Sequence, residues 1–128
     1  MKIIIAGAYA IGTHLARLLS RSQEEITLID ESEERLASIG SDCDLLTMIG
    51  KPTSLQTLRD AGVQDTDLFI AVTPVESTNI TSSILAKNLG AKRTVLVWII
   101  RNTWNRRHRN SSRNSVSASS SIRRCSLP

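Results

Sequence analysis

The sequence has few aromatic residues, few cysteines and no long apolar run, and each shortage excludes a class of protein. Among 128 residues there are two Trp, one Tyr, one Phe and two Cys. Cys43 and Cys125 share no spacing motif, which is typical of a reducing cytosol rather than of a disulfide scaffold. The apolar stretch at residues 95–100 is too short to span a bilayer, and no signal-peptide pattern follows Lys2. We therefore expect a soluble, cytoplasmic protein.

Acidic residues are absent from the C-terminal part of the chain. All twelve Asp and Glu lie at or before Glu76, whereas residues 96–128 contain seven Arg and no acid. The net charge of +4 therefore comes from the tail, because residues 1–95 carry nine Lys and Arg and a net charge of about −3. Residues 101–128 also contain eight Ser and almost no periodic apolar residues. We expect a folded domain over residues 1–100 and a disordered Ser/Arg-rich tail over residues 101–128.

Short apolar runs alternate with segments of helical period in the first hundred residues. The predicted strands cover residues 3–6, 26–29, 45–49, 68–72 and a segment from residue 94, and the predicted helices cover residues 11–19, 33–39, 52–61 and 77–89. The helical spacing predicts inward faces made of Ile11, Leu15, Leu18 and Leu19 in the first helix and of Ile80, Ile84 and Leu85 in the last. This order predicts an α/β, Rossmann-like, doubly wound parallel sheet of about five strands. Such sheets bind ligands at the carboxyl ends of their strands.

A glycine-containing turn separates the first predicted strand from the first predicted helix. It consists of Gly7, Ala8, Tyr9, Ala10, Ile11 and Gly12. Main-chain N–H groups at a helix N-terminus bind phosphate, although Tyr9 replaces the middle glycine of the dinucleotide fingerprint and restricts the approach. Asp30 ends the second strand, where an acid accepts hydrogen bonds from ribose hydroxyls and repels a 2′-phosphate. The pattern predicts a site for NAD(H) or an adenine nucleotide; the alternatives are a plain tight turn and a capping or solvated Asp30.

Motifs further along the chain resemble one known family. They are residues 28–30, Gly50-Lys51-Pro52-Thr53, residues 58–63, residues 67–73, Asn79 and Ala86-Lys87. Over about residues 1–95 this order resembles the TrkA-N family (RCK or KTN domains), the nucleotide-binding domains of regulatory subunits of bacterial potassium uptake. The resemblance implies a homo-oligomeric subunit, peripheral to the inner face of the plasma membrane. Such a subunit binds NAD(H) or ATP/ADP and controls a Trk-type potassium-translocating membrane subunit.

The resemblance also implies which residues hold the nucleotide. The turn from Gly7 to Gly12 would bind pyrophosphate and Asp30 the ribose, while Lys51 and Pro52 would flank the adenine. The cleft would be lined at the end of the fourth strand by Thr73 and Pro74, with Glu76 close by. Lys51 stands where the family usually has an acid, so its positive charge favours ATP or ADP. No catalytic set is evident and no metal site is expected, so the resemblance implies a regulatory binding module rather than an enzyme.

Two other functions fit parts of the sequence. A small NAD-dependent oxidoreductase domain would use the same turn, but it needs a substrate domain and an acid or base beside the nicotinamide. Alternatively, seven Arg together with Trp98 and Trp104 would allow the tail to neutralise phosphates and stack bases of a nucleic acid. That interpretation predicts salt-dependent DNA or RNA binding that disappears when residues 101–128 are deleted.

The composition of the tail suggests a change of reading frame after Val95. Back-translated codons for residues 96–105 with the adjoining bases of the codons for Val95 and Arg106, read in the neighbouring frame, permit Ala-Arg-Met-Asp-Asn-Thr-Glu-Tyr-Leu-Glu-Pro. This peptide resembles the family's continuation and supplies the acids and aromatic residues that the tail lacks. Our hypothesis is that a one-base change truncated a longer protein. Resequencing of the coding region is expected to find that change, and an intact frame would contradict the hypothesis.

Overall fold

The computed structural model describes residues 1–39, 43–98 and 121–125. The described strands are Lys2–Ala6 (β1), Glu25–Asp30 (β2), Leu46–Ile49 (β3), Leu68–Ala71 (β4), Arg93–Trp98 (β5) and Ser121–Cys125 (β6). The described α-helices are Ala10–Ser20 (α1), Glu33–Ala37 (α2), Leu55–Asp60 (α3) and Glu76–Leu89 (α4). A short 3-10 helix, Val63–Asp65, precedes β4.

The strands form one sheet in the order β3-β2-β1-β4-β5-β6. Neighbouring strands from β3 to β5 run parallel, and β6 runs antiparallel to β5. This is the strand order of a Rossmann fold, in which chain progression reverses between β1 and β4. The predicted parallel, doubly wound sheet is confirmed. Its switch point places a cleft above the carboxyl end of β1.

The central strand β1 shows why helices cover both faces of the sheet. Ile3 and Ile5 pack in one apolar cluster with residues of α1 and α2. Ile4 and Ala6, which point the opposite way, pack in a second cluster with residues of α3 and α4. All four side chains are completely buried. A strand buried on both faces needs a continuous apolar run, which is the pattern seen at its positions in the sequence.

The faces that α1 and α4 present to the sheet differ from the prediction. Ile11, Leu18 and Ile84 were expected to face the sheet, but their exposed fractions are 36%, 47% and 56%. In α1 the buried residues are instead Gly12 and Ala16. In α4 the buried residues are Asn79, Ser82, Ser83 and Ala86. The prediction was wrong at these three positions, because small residues let both helices lie close to the sheet. It was right for Leu15, Leu19, Ile80 and Leu85, which are partly buried and pack against the apolar clusters.

One segment of the basic tail belongs to the sheet. The prediction of disorder there falls mainly on residues 101–120 and 126–128, which lie outside the described residues. Residues 121–125 form β6, whose main chain pairs with the outer edge of β5, with Thr94 opposite Cys125. An edge strand presents unpaired N–H and C=O groups, and this pairing satisfies them along β5.

Asp67 connects the beginnings of three strands. Its carboxylate accepts a hydrogen bond from the main-chain N–H of Lys2 (2.9 Å) and pairs with the ammonium of Lys92 (3.0 Å). Its main-chain N–H in turn donates to the carbonyl of Lys2. The Lys2 hydrogen bond, followed by the Lys92 contact, lowers the pKa of Asp67 from its usual value of 3.8. The charged form of Asp67 therefore stabilises the folded state.

This shift predicts a pH-dependent effect of Asp67→Asn. The contribution of the carboxylate is present above its unfolded-state pKa and is lost as the pH falls through the lower pKa of the folded state. We expect the variant to melt at a lower temperature than the unmodified chain at neutral pH, with the difference disappearing in strong acid. This difference in melting temperature is measured by thermal unfolding monitored with circular dichroism at each pH. Asp65→Asn, at an exposed acid in the same connection, is the control, and a difference independent of pH would contradict the prediction.

Candidate nucleotide-binding site

The turn between β1 and α1 depends on two glycines. Gly7 has a φ of +115°, a conformation that L side chains rarely adopt, and its N–H donates to the carbonyl of Ile29 at 2.8 Å. A Cβ atom on Gly12 would lie only 1.7 Å from the carbonyl oxygen of Gly7. Gly7 therefore permits the bend and Gly12 permits α1 to pack against it.

Helix α1 begins directly at this turn. Its first main-chain bond runs from the N–H of Thr13 to the carbonyl of Tyr9 at 2.9 Å. The N–H groups of Ala10, Ile11 and Gly12 precede that bond and are therefore the donors that a helix N-terminus leaves for other acceptors. Together with the positive end of the helix dipole, these donors form an arrangement that binds phosphate.

Asp30 joins the turn to the end of β2. Its side chain is only 2% exposed, and one carboxylate oxygen, Oδ2, accepts a hydrogen bond from the N–H of Ala8 at 2.8 Å. The other oxygen, Oδ1, accepts from the N–H of Ser32 at 2.8 Å. Asp30 is therefore not a solvated residue, and the N–H of Ala8 is directed to it rather than into the cleft.

Arg35 is a site residue that the sequence interpretation missed. Its Nε and Nη2 atoms each lie 2.9 Å from Oδ1 of Asp30, and its guanidinium lies 4.2 Å from the centroid of the Tyr9 ring. Helix α2 positions Arg35, whose N–H donates to the capping hydroxyl of Ser32 at 3.3 Å. Asp30 thus faces the cleft as half of an ion pair with Arg35. In the sequence, the only indication of this ion pair was that Arg35 follows Asp30 by five residues.

The opposite side of the site is fixed by Asn79, at the beginning of α4. Its Oδ1 accepts from both the N–H (2.9 Å) and the hydroxyl (2.7 Å) of Thr73, and its Nδ2 donates to the carbonyl of Thr73 at 2.8 Å. Asn79 is 1% exposed. A buried side chain that satisfies the main chain in this way holds the loop after β4 in one conformation.

These elements enclose a cleft of about 120 Å³ at the carboxyl ends of β1, β2 and β4. Five of the predicted site residues line it: Tyr9, Asp30, Pro52, Thr73 and Pro74. Four residues without a predicted role line it as well: Glu31, Arg35, Val75 and Thr78. The predicted residues thus converge from the ends of four strands, β1 to β4, because parallel strands bring their carboxyl ends to one edge of the sheet.

The remaining predicted residues lie around the cleft rather than in its lining. Gly7, Ala8 and Gly12 are buried and hold the turn, whereas Ala10 and Ile11 are exposed at the beginning of α1. The exposed side chains next to lining residues are Lys51, beside Pro52, and Glu76, beside Val75. Lys51 and Glu76 therefore border the cleft without lining it.

The described residues contain no cluster of His, Cys, Asp or Glu side chains that could hold a metal ion. Among the same residues there is no helix with the length and apolar character needed to cross a membrane.

Strand order, glycine turn and the acid at the end of β2 place the chain in the class of Rossmann-type domains. The TrkA-N domain family matches residues 3–114, and the chain belongs to that family. This confirms the family resemblance of the sequence.

Curated relatives of the chain are potassium uptake proteins. A Trk system potassium uptake protein TrkA homolog from Archaeoglobus fulgidus is 36% identical over 96 residues, which is 75% of this chain and 22% of that protein. The Trk system potassium uptake protein TrkA from Haemophilus influenzae is 43% identical over 79 residues, which is 62% of this chain and 17% of that protein. The chain thus spans about a fifth of the length of these two relatives.

A solved structure shares the fold. The Kef CTD from Shewanella denitrificans, in an AMP-bound form, superposes with a TM-score of 0.57 and 23% sequence identity. The match covers 69% of this chain and 52% of the Kef chain. At this level of identity the likeness concerns the architecture of the domain.

The contacts of Asn79 predict a large effect of Asn79→Ala on stability. The substitution leaves the buried N–H and carbonyl of Thr73 without the amide, and each unsatisfied buried group costs about 1–3 kcal/mol. We expect the free energy of unfolding to fall by at least about 1–3 kcal/mol, the cost of one unsatisfied group. Urea denaturation measures the change.

Ser83→Ala is the matched control for Asn79→Ala. Ser83 is also buried in α4, and its hydroxyl has no hydrogen-bond partner among the described residues. Its removal should change stability by less than about 1 kcal/mol, because no bond is lost. Equal effects of the two variants would show that the hydrogen bonds of Asn79 do not fix the loop.

Proposed function

We propose that this chain is the nucleotide-sensing domain of a regulatory subunit that controls potassium uptake through a Trk-type membrane transporter. The observation that carries the proposal is the convergence of the α1 N-terminus and Asp30 on one cleft at the switch point of the sheet. A phosphate-binding group and a ribose-binding group are then held at fixed positions by one hydrogen bond. The TrkA-N match and the potassium uptake relatives support the regulatory role.

The ligand of this site is an adenine nucleotide, NAD(H) or ATP/ADP. Its phosphate accepts hydrogen bonds from the N–H groups at the beginning of α1. A ribose hydroxyl donates to Oδ2 of Asp30, which has a second lone pair beside the bond from Ala8. The adenine lies against Pro52, and Lys51 adds a positive charge for further phosphates. The AMP-bound state of the Kef structural neighbour is consistent with such a ligand.

The domain acts by binding and not by turnover. A nucleotide that binds two arrangements of the regulatory subunit with different affinity shifts the population between them. The shift would pass to the membrane transporter through a homo-oligomeric regulator at the cytoplasmic face of the membrane. The potassium uptake relatives support a sensor rather than an oxidoreductase.

The proposal predicts nucleotide binding that depends on the N-terminus of α1. Ala10 is exposed at the first position of the helix, where an acid stabilises folding through the helix dipole but competes with phosphate for the same N–H groups. We expect Ala10→Glu to weaken binding about tenfold or more, equivalent to about 1.4 kcal/mol. Isothermal titration of the full chain with AMP, ADP, ATP, NAD and NADH measures the affinities.

Ala10→Gln is the matched control for this experiment. It has nearly the same size as the glutamate but no charge, so the affinity should stay within about threefold of that of the unmodified chain. If none of the five nucleotides binds the unmodified chain, the proposal is wrong. Salt-dependent binding of RNA or DNA that requires residues 101–128 would instead favour a role for the basic tail.

A further inference from the structure

Strand β3 forms one end of the sheet and, within the described part of the chain, pairs only with β2. The N–H of Gly50, directly after β3, donates to the carbonyl of Asp30 at 2.9 Å. Because the main-chain groups of successive residues in a strand point to opposite sides, those of Thr47 and Ile49 point away from β2. The outer edge of β3 therefore offers N–H and C=O groups with which a further strand can pair.

The side chains of β3 are apolar and exposed, although it is an edge strand. Leu46 and Ile49 are 71% and 58% exposed, and Thr47 between them is exposed as well. Edge strands are normally protected against further pairing by charged residues, proline or a bulge. β3 has none of these, whereas β6 at the opposite end of the sheet contains Arg123 and Arg124. The edge of β3 is therefore suited to pairing rather than protected from it.

The charges on either side of β3 indicate what pairs with it. Asp44 lies two residues before the strand and Lys51 two residues after it, and both side chains are exposed. When a second copy of β3 lies antiparallel beside the first, the acid of each copy is next to the lysine of the other at both ends of the paired segment. A parallel arrangement would place like charges together, which is destabilising. The antiparallel arrangement also has the twofold symmetry of a closed dimer.

We propose that this chain forms a twofold dimer through antiparallel pairing of β3 with β3 of a second copy. The main-chain groups of Thr47 and Ile49 then exchange hydrogen bonds with the second copy, and Leu46 and Ile49 are shielded from water by apolar residues of its strand. The two sheets become one continuous sheet across the dimer axis. This inference goes beyond the proposed function, because the pairing needs no bound nucleotide, and it gives the proposed homo-oligomeric regulator a contact surface.

Sedimentation equilibrium of the full chain tests the proposal. The concentrations run from about 1 μM to about 1 mM, which covers dissociation constants at and above the micromolar level. We expect the unmodified chain to be a dimer at the upper end of this range. A chain that stays monomeric at the highest concentration overturns the proposal, and so do assemblies that keep growing beyond a dimer.

Thr47→Lys adds a charge in the middle of the proposed interface and leaves the pairing of β3 with β2 in place. Because the twofold axis brings the two new lysines close together, we expect the Kd of the dimer to rise about tenfold or more. Thr81→Lys is the matched control, since Thr81 is an exposed threonine on α4, which packs against β4 and β5. This variant should leave the Kd within about twofold of the unmodified value. Equal effects of the two variants would show that the dimer forms through another surface.

Exchange of the flanking charges distinguishes a second copy of β3 from any other strand. Asp44→Lys and Lys51→Asp should each raise the Kd about threefold or more, since each places like charges at both ends of the paired segment. The double variant restores opposite charges at both ends, so its Kd should return to within about twofold of the unmodified value. A double variant that dimerises more weakly than either single variant overturns the antiparallel arrangement.

The outcomes separate this inference from the proposed nucleotide binding. A monomeric chain that binds an adenine nucleotide overturns the dimer and leaves the proposed function intact. A dimeric chain that binds none of the nucleotides overturns the proposed function and leaves the pairing of β3 intact. Melting curves of each variant, monitored by circular dichroism, establish that the variant is folded, so that unfolding is not mistaken for loss of the dimer.

Discussion

The carboxylate of Asp30 is the interaction on which the site depends. A buried carboxylate is costly unless hydrogen bonds and an opposite charge compensate for its loss of water. Here the N–H groups of Ala8 and Ser32 and the guanidinium of Arg35 supply that compensation. Because the donors come from the turn after β1 and from the beginning of α2, one side chain links the two connections that border the cleft. It adds to the parallel pairing of β1 with β2 and to the hydrogen bond from the N–H of Gly7 to the carbonyl of Ile29, which hold the same two turns together.

The same principle operates on the other side of the cleft. Asn79 binds the N–H, hydroxyl and carbonyl of Thr73 and so fixes the loop after β4. Between these two buried polar side chains lies the beginning of α1, packed closely through Gly12 and Ala16. Asp30 and Asn79 thus fix the main chain around the cleft, and the side chains of Tyr9 and Arg35 form part of its lining.

Much of the fold and part of the site could be predicted from the sequence. The continuous apolar run of β1 and the glycine turn predicted a buried strand leading into a helix, and both are present. The family resemblance is confirmed by the TrkA-N match. The orientation of Ile11 and Ile84 was predicted incorrectly, because the fully buried positions of these helices are small or polar residues and the larger Leu15, Leu19, Ile80 and Leu85 are only partly buried beside them. Arg35 was missed because a surface helix arginine has no local pattern that marks its partner.

The sequence by itself determined the class of the domain, since strand length, helical period and the two glycines are local properties of consecutive residues. It also placed Asp30 at the end of a strand. Only the tertiary structure decided what that acid binds, because its partners Ala8 and Arg35 belong to two different connections. Likewise, the sequence showed that Tyr9 departs from the glycine pattern. The stacking of its ring on Arg35 is a contact between residues 26 positions apart, and such a contact exists only once β1 and β2 lie side by side.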